Sequence, residues 1–229
     1  MLALKQALSL GKTFDEGIGW SPLDEASLEA WYQKGVGITL NGSAVSDWAD
    51  SSTNTNTMRQ TTEANQPEYS GGVLTFEATA TSFLVSATDI TLADAFTIGV
   101  RLNITSAGGV ILGDNTEDGE LIKVFSSTKI SVRIDNQTRV DIQLDSGSLL
   151  GTEAYMVLSR QAPSDEIFLY WNGTKQADTE IMSGTANIDA IGVRKEELNP
   201  FDGTIREIQI YSYTSDVLIG NVNASLADL

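Results

Sequence analysis

Between Val73 and Tyr213 the chain is a succession of short apolar, β-branched segments separated by Gly, Asn, Asp and Ser. The segments are 73–77, 82–87, 96–104, 109–113, 120–126, 129–135, 138–144, 154–160, 166–171, 188–193 and 204–213. Strict alternation runs through Ile130-Ser131-Val132-Arg133-Ile134 and Val140-Asp141-Ile142-Gln143-Leu144, the pattern of strands with one buried and one wet face. Ile167-Phe168-Leu169-Tyr170-Trp171 is apolar on both faces, which puts it centrally between packed layers. Asn172-Gly173 follows directly and supplies the positive φ angles of a tight hairpin. So many short strands without interior helices predict an all-β fold, an antiparallel β-sandwich with short terminal helices.

The ends differ from this middle. Residues 1–20 form an arm in which Leu2, Leu4, Leu8 and Leu10 precede a glycine-rich stretch. A helix that short is marginal in water alone, so the arm is expected to be held by a partner or a second copy. Lys5 and Gln6 break its apolar run, so a secretory signal is not expected. Residues 21–229 form the domain. Ser21-Pro22 followed by Asp24 and Glu25 is a helix-start signature, predicting a short helix with Leu23, Leu28 and Trp31 on one side. Residues 49–70 are almost wholly polar and predict a long surface loop. Val217, Leu218, Val222 and Leu226 predict a closing helix. Ile205 and Ile208 lie an odd number of residues apart, so the last strand must be covered on both faces or bulge near Arg206-Glu207.

Composition removes whole classes of chemistry. With no cysteine and no histidine, disulfides, thiolate nucleophiles, Cys/His zinc sites and Ser-His-Asp catalysis are impossible. Thirty-one acidic residues against 14 basic ones give a net charge of -17, which repels a phosphate backbone and argues against a nucleic-acid partner. No run approaches the roughly 20 apolar residues of a membrane helix, so no membrane partner is expected. A glycosidase needs two carboxylates at fixed separation. The acids here are scattered: Asp135 ends a segment, Asp141 and Asp145 are four apart, Glu207 is isolated, and Asp165-Glu166 sits in a turn. No catalytic residue is assigned, and the chain is expected not to be an enzyme.

Two sets of residues remain as candidate binding sites. Asp114-Asn115-Thr116-Glu117-Asp118-Gly119-Glu120 is the densest cluster of oxygen ligands, and Asp114, Asn115, Glu117 and Asp118 are its candidate Ca²⁺ ligands. It is no EF-hand, since Thr116 and Phe125 occupy ligand positions three and twelve; the alternative is a solvated acidic hairpin. No cofactor is expected, with Ca²⁺ the one ion this loop could take. Tyr32, Trp48 and Tyr69 are candidate sugar-stacking residues beside the polar loop, with Tyr211 and Tyr213 as further aromatics. For the tryptophans a place in the framework is the competing reading.

Trp20-Ser21-Pro22, Leu28-Glu29-Ala30-Trp31-Tyr32 and Val45-Ser46-Asp47-Trp48-Ala49-Asp50-Ser51 lead through Asn54, Asn56, Gln60 and Asn65-Gln66-Pro67 to Gly72-Val73-Leu74-Thr75-Phe76. This order resembles the opening of a concanavalin A-like (laminin G-like) jelly-roll domain as found in bacteriophage and marine-virus virion proteins. Tyr170-Trp171-Asn172-Gly173 resembles the family's hairpin, and Phe201-Asp202-Gly203-Thr204-Ile205 with the strand that follows resembles its closing strand. The resemblance spans about residues 20–229. It implies two curved antiparallel sheets and a non-catalytic structural protein on the virion exterior, made in the host cytoplasm, as head decoration or as a tail-fibre or adsorption component. The implied partners are other virion proteins reached through the arm, further copies of the chain in a homo-oligomer, and host-surface glycan. The second reading is a lectin-like carbohydrate-binding module with no structural virion role. Arm-mediated assembly predicts an oligomer in sedimentation; a monomer whose arm is cut quickly by protease would refute it.

Overall fold

The computed structural model describes residues 19–116, 119, 121–135 and 137–229. The arm residues Leu2, Leu4, Leu8 and Leu10 lie outside the described residues, as do Glu117 and Asp118. In chain order the strands are β1 (Leu28–Tyr32), β2 (Ile38–Asn41), β3 (Ala44–Trp48), β4 (Met58–Arg59), β5 (Glu68–Ser70), β6 (Val73–Phe76), β7 (Leu84–Leu92), β8 (Phe96–Ile104), β9 (Val110–Gly113), β10 (Ile122–Ser126), β11 (Lys129–Val132), β12 (Val140–Gln143), β13 (Glu153–Arg160), β14 (Glu166–Trp171), β15 (Thr174–Ile181), β16 (Ala186–Ile191) and β17 (Gly203–Tyr211), closed by helix α1 (Asp216–Ala227).

Their antiparallel pairings make two sheets. The front sheet runs β15-β14-β13-β8-β17, and the far side of β17 is shared by β6 along Gly203–Ile205 and β1 along Ile208–Tyr211. The back sheet runs β12-β11-β10-β9-β16-β7-β4-β3-β2. Strand β5 pairs with both β6 and β3, carrying the ladder from one sheet to the other. At the opposite side the two remaining edges face each other. The Gln143 N–H donates to Asp178 (2.7 Å), the Asp145 N–H to Gln176 (2.9 Å) and the Ala177 N–H to Asp145 (3.1 Å). Edge amides that could pair with another chain are thereby satisfied internally.

The apolar layer between the sheets follows period two. On β14, Ile167 and Leu169 face the layer, while Phe168 and Tyr170 face outward beneath α1. That helix is capped by Ser215, whose Oγ accepts the Leu218 N–H (3.1 Å), and it sets Leu218, Ile219, Val222 and Leu226 against Val157, Phe168 and Tyr211. The central front strands are therefore covered on both faces, as the apolar run at 167–171 predicts. Asn172 (φ 47°) and Gly173 (φ 75°) make the predicted turn, with Trp171 opposite Thr174.

The Ile205/Ile208 conflict is resolved by a bulge. Ile205 pairs with Leu102 and Glu207 with Arg101, leaving Arg206 unpaired in the ladder. The slip returns Ile208 and Ile210 to the apolar layer and sends Glu207, Gln209 and Tyr211 outward to the helix side. The buried Glu207 carboxylate accepts from Trp31 Nε1 (2.8 Å), the Lys34 N–H (3.3 Å) and Gln209 Nε2 (2.8 Å), so its burial is compensated.

Three local expectations need correction. The helix predicted after Ser21 is one 3₁₀ turn, Pro22–Asp24, and Leu28 already belongs to β1. The second half of β17 needs an edge partner, and that ladder outweighs a marginal helix. The segment 49–70 is not one loop: it contains β4, a 3₁₀ turn at Glu63–Asn65, and β5. Its first part is tied down by Asp50, which accepts the N–H groups of Trp31 (2.8 Å), Ser52 (2.8 Å) and Asn56 (3.0 Å). Strands β2, β3 and β15 are additional to the predicted set; β15 (TKQADTEI) carries too few apolar residues to read as a strand from sequence.

Gly99 on β8 lets α1 sit close to the front sheet. A Cβ there would lie 2.5 Å from Val222 Cγ1 and 2.9 Å from Leu226 Cδ1. Gly99→Ala is expected to lower stability by about 1–3 kcal/mol through overpacking, measured by urea unfolding; an unchanged midpoint would show that the helix does not press on this strand.

Candidate functional site

A cluster of carboxylates and an open groove both grow from one irregularity in the back sheet. Ile188 of β16 pairs with Ile90 of β7, yet Ala190 pairs with Val85. The residues Ser86-Ala87-Thr88-Asp89 therefore stand opposite the single residue Asp189, and β7 bows outward. Leu84, Ile90 and Leu92 anchor it in the apolar layer on either side. The bowed residues are small or polar, so nothing in them opposes exposure. An acidic cluster lies on one flank of this bow and an open groove on the other.

The cluster joins residues remote in sequence. Carboxylate oxygens of Asp89, Asp114 and Asp189 all lie within 4.8 Å of one another. Asp114 is 3% and Asp189 4% exposed, while Asp89 is open to solvent. The Asn115 N–H donates to Asp189 Oδ1 (2.5 Å); the Thr116 N–H and Oγ1 donate to Asp114 Oδ1 at 2.8 and 2.7 Å. Asn115 Oδ1 is buried with no hydrogen-bond partner among the described residues. Burial, reinforced by the charges of Asp114 and Asp89, pushes the Asp189 carboxyl up to about 6 against the pull of the Asn115 N–H. Burial and Asp114 also raise Asp89. Three carboxylates this close together are a donor set that fits a hard divalent cation such as Ca²⁺.

Of the predicted metal ligands, Asp114 takes part in the cluster and Asn115 adjoins it; Glu117 and Asp118 lie outside the described residues. Asp89 and Asp189 were not predicted. The one signal for Asp189 is an acid within an otherwise apolar strand, Ile188-Asp189-Ala190-Ile191. Asp89 carries no comparable signal, because it reaches the cluster only through the bow. The small recess beside Asp114, bounded by Arg133, Asp135 and Asn187, holds about 10 Å³, room for a water and nothing larger.

The groove lies between the bow and the segment leading into β4. Thr55, Thr57 and Arg59 line one side and Val85, Ser86 and Thr88 the other, around about 460 Å³. Phe83 and Val85 pack with Ala190 and Val193 as an apolar strip on this outer face. The Thr side is held by Asp50 through Asn56, and Thr88 Oγ1 donates weakly to Asn56 Oδ1 (3.4 Å). Arg59 Nε pairs with Asp47 at 2.6 Å. Hydroxyls and a guanidinium over an apolar strip suit a small polyhydroxylated ligand.

The predicted stacking residues are placed elsewhere. Tyr32 and Trp48 are both fully buried, with ring centres 5.6 Å apart, so neither offers a ring face to a sugar. Their polar atoms point to backbone: Tyr32 Oη donates to the Asn56 carbonyl (2.6 Å) and Trp48 Nε1 to that of Gln33 (3.2 Å). Both belong to the framework, because their strands turn them into the apolar layer. Tyr69 is partly buried against the same layer and does not line the groove. Tyr211 is buried beneath α1, and Tyr213 is exposed.

A family model described as the concanavalin A-like lectin/glucanases superfamily matches residues 77–216. No curated protein matches the chain in sequence. Among solved structures, domain 4 of AbnA, a GH43 extracellular arabinanase from Geobacillus stearothermophilus, in complex with arabinotriose, superposes with a TM-score of 0.62 at 16% identity, covering 89% of this chain and 99% of that one. Trypanosoma rangeli sialidase in complex with 2,3-difluoro-KDN superposes with a TM-score of 0.56 at 12% identity over 90% of this chain but 33% of its own. Identities this low establish a shared fold and nothing finer.

The cluster has a signed pH dependence. Because Asp189 holds its proton up to about 6 in the folded chain against an ordinary 3.8, the metal-free protein loses stability as pH rises through that window. Asp189→Asn removes the buried charge. Above pH 6 it is expected to be more stable than the parent in EDTA by about 1–3 kcal/mol, with the difference closing below the ordinary carboxylate range. Ca²⁺ should raise the Tm of the parent and not of the variant. Thermal melts across pH, with and without Ca²⁺, check both; a variant less stable than the metal-free parent at neutral pH would contradict the assignment.

Proposed function

We propose, from the premise that the chain belongs to the concanavalin A-like lectin/glucanases superfamily, that it is a non-catalytic carbohydrate-binding β-sandwich whose saccharide site is the groove beside the β7 bow. The observation that carries the reading is that groove: hydroxyl- and guanidinium-lined, backed by an apolar strip, and held by a half-buried hydrogen bond from the Asn56 N–H to Asp50. Support comes from the arabinanase domain, which shares the fold over nearly its whole length and was solved with arabinotriose. In this reading the acidic cluster, loaded with Ca²⁺ through Asp89, Asp114 and Asp189, would neutralise the buried charge and fix the bow that forms one wall of the groove. The net charge of -17 favours neutral saccharides over anionic ones.

Binding rather than hydrolysis is supported by the lining. Its Thr, Ser, Gln and Arg side chains include no carboxylate, and cleavage of a glycosidic bond needs two acids flanking it. Asp189, with its raised pKa, resembles a general acid in isolation. It is, however, buried and spent on the Asn115 N–H, and does not reach the groove surface. The setting on a virion exterior is a separate proposal: it rests on the sequence resemblance over about residues 20–229, and the groove does not depend on it.

A glycan array followed by calorimetry tests the reading. A neutral oligosaccharide should bind, and Ala87→Trp, which projects an indole from the exposed bow into the groove, should abolish binding while leaving the Tm unchanged. Arg59→Ala should weaken binding about tenfold. No reducing ends should be released from the bound glycan. Silence across the array, or parental affinity in Ala87→Trp, would overturn the assignment.

A further inference from the structure

A second groove opens where β8 begins and β13 and β17 end, on the front sheet rather than the back. It encloses about 560 Å³ between Asp94 and Ala95 on one side, Gln161 on another, and Ser212, Tyr213 and Thr214 on the third. Tyr213 is 53% exposed, whereas Tyr211 two residues earlier is fully buried. Among the described residues its ring has no aromatic or cationic partner, unlike Tyr155, which lies under Arg101. A tyrosine left open at the mouth of a polar groove offers an apolar face with a hydroxyl at its tip.

The walls of this groove are fixed from within. Arg160 is 0% exposed, and its guanidinium ties two chain segments, 92–94 and 182–184, to β13 from below. Nε donates to the Asp94 carbonyl (2.7 Å), Nη2 to the same carbonyl and to that of Leu92 (3.3 Å), and Nη1 to that of Gly184 (2.7 Å). Its charge sits over the Phe96 ring, 5.0 Å from the centroid. On the other side Ser159 and Thr214 share a hydroxyl hydrogen bond (2.5 Å), and the Ser212 N–H donates to the Ser27 carbonyl (2.9 Å). Such a frame costs a ligand little ordering entropy.

We propose that this groove is a second saccharide-binding site, in which Tyr213 stacks on the C–H face of a neutral sugar ring while Asp94 and Gln161 take its hydroxyls. A neutral ring is required because Asp94 supplies a negative charge to the groove, and Arg160 beneath it is buried and turned toward backbone carbonyls. The proposal shares a ligand class with the β7 groove but no residue, so the two stand or fall separately. Occupied together on one polymeric glycan, they would add avidity without any new contact.

Amide chemical-shift mapping with arabinotriose, maltotriose and cellotriose, and with 3′-sialyllactose as the charged comparison, tests it on the whole chain. A neutral trisaccharide should move the amides of Ala95, Gln161 and Ser212–Thr214. Tyr213→Ala should weaken that response about three- to tenfold, and Tyr213→Trp should keep it. Because Tyr213 is exposed, both variants should fold as the parent does. Shifts confined to residues 55–61 and 83–88 would overturn the second site while supporting the first; shifts confined to the Tyr213 region would do the reverse. Absence of any response from the three neutral sugars at Tyr213 and its neighbours, parental affinity in Tyr213→Ala, or a stronger response to 3′-sialyllactose there would each sink the proposal.

Discussion

Each strand of the sandwich commits every second side chain to one apolar layer, and a break in that register re-aims every side chain beyond it. The chain breaks it in two consequential places. At Arg206 a single extra residue on β17 returns Ile208 and Ile210 to the layer and turns Glu207, Gln209 and Tyr211 toward the closing helix. On β7 the excursion is larger: Ser86–Asp89 stand against Asp189 alone. The first break makes a second, smaller core possible. The second opens a polar surface on the outer side of the back sheet.

Buried charge is handled differently in each place. Glu207 is compensated by three donors, and Arg160 by carbonyl groups and an aromatic ring, so both serve as fixed struts. The Asp89, Asp114 and Asp189 cluster brings like charges together, an arrangement that costs stability until a proton or a cation relieves it. That contrast separates framework from candidate site more clearly than net charge does. The -17 spread over the chain is mostly a solvating surface, whereas these three acids are concentrated by topology.

The two grooves lie on opposite sheets and are built by the same means: short polar segments tied down by one charged group, the half-buried Asp50 in one case and the buried Arg160 in the other. Binding sites on such loops gain from a rigid scaffold, since the loop itself need not order when the ligand arrives.

Much of the fold was legible because period-two alternation, the Asn172-Gly173 turn and the spacing of Ile205 and Ile208 are local consequences of backbone geometry. The closing helix was legible for the same reason. What could not be read was set by partners distant in sequence. Leu28–Tyr32 became a strand because β17 had an edge to fill, and β15 is a strand because β14 holds it. Tyr32 and Trp48 looked like surface aromatics beside a polar loop, and burial turned them into framework. Asp114 was visible in its acidic run, but Asp189 met it through the pairing of β16 with β9, and Asp89 only through the bow in β7. The sequence by itself determined which segments alternate, hence an antiparallel sandwich with no histidine or cysteine chemistry. Only the tertiary structure decided which acids meet and which aromatics stay exposed, because strand register and long-range pairing, not local propensity, choose the neighbours of a side chain.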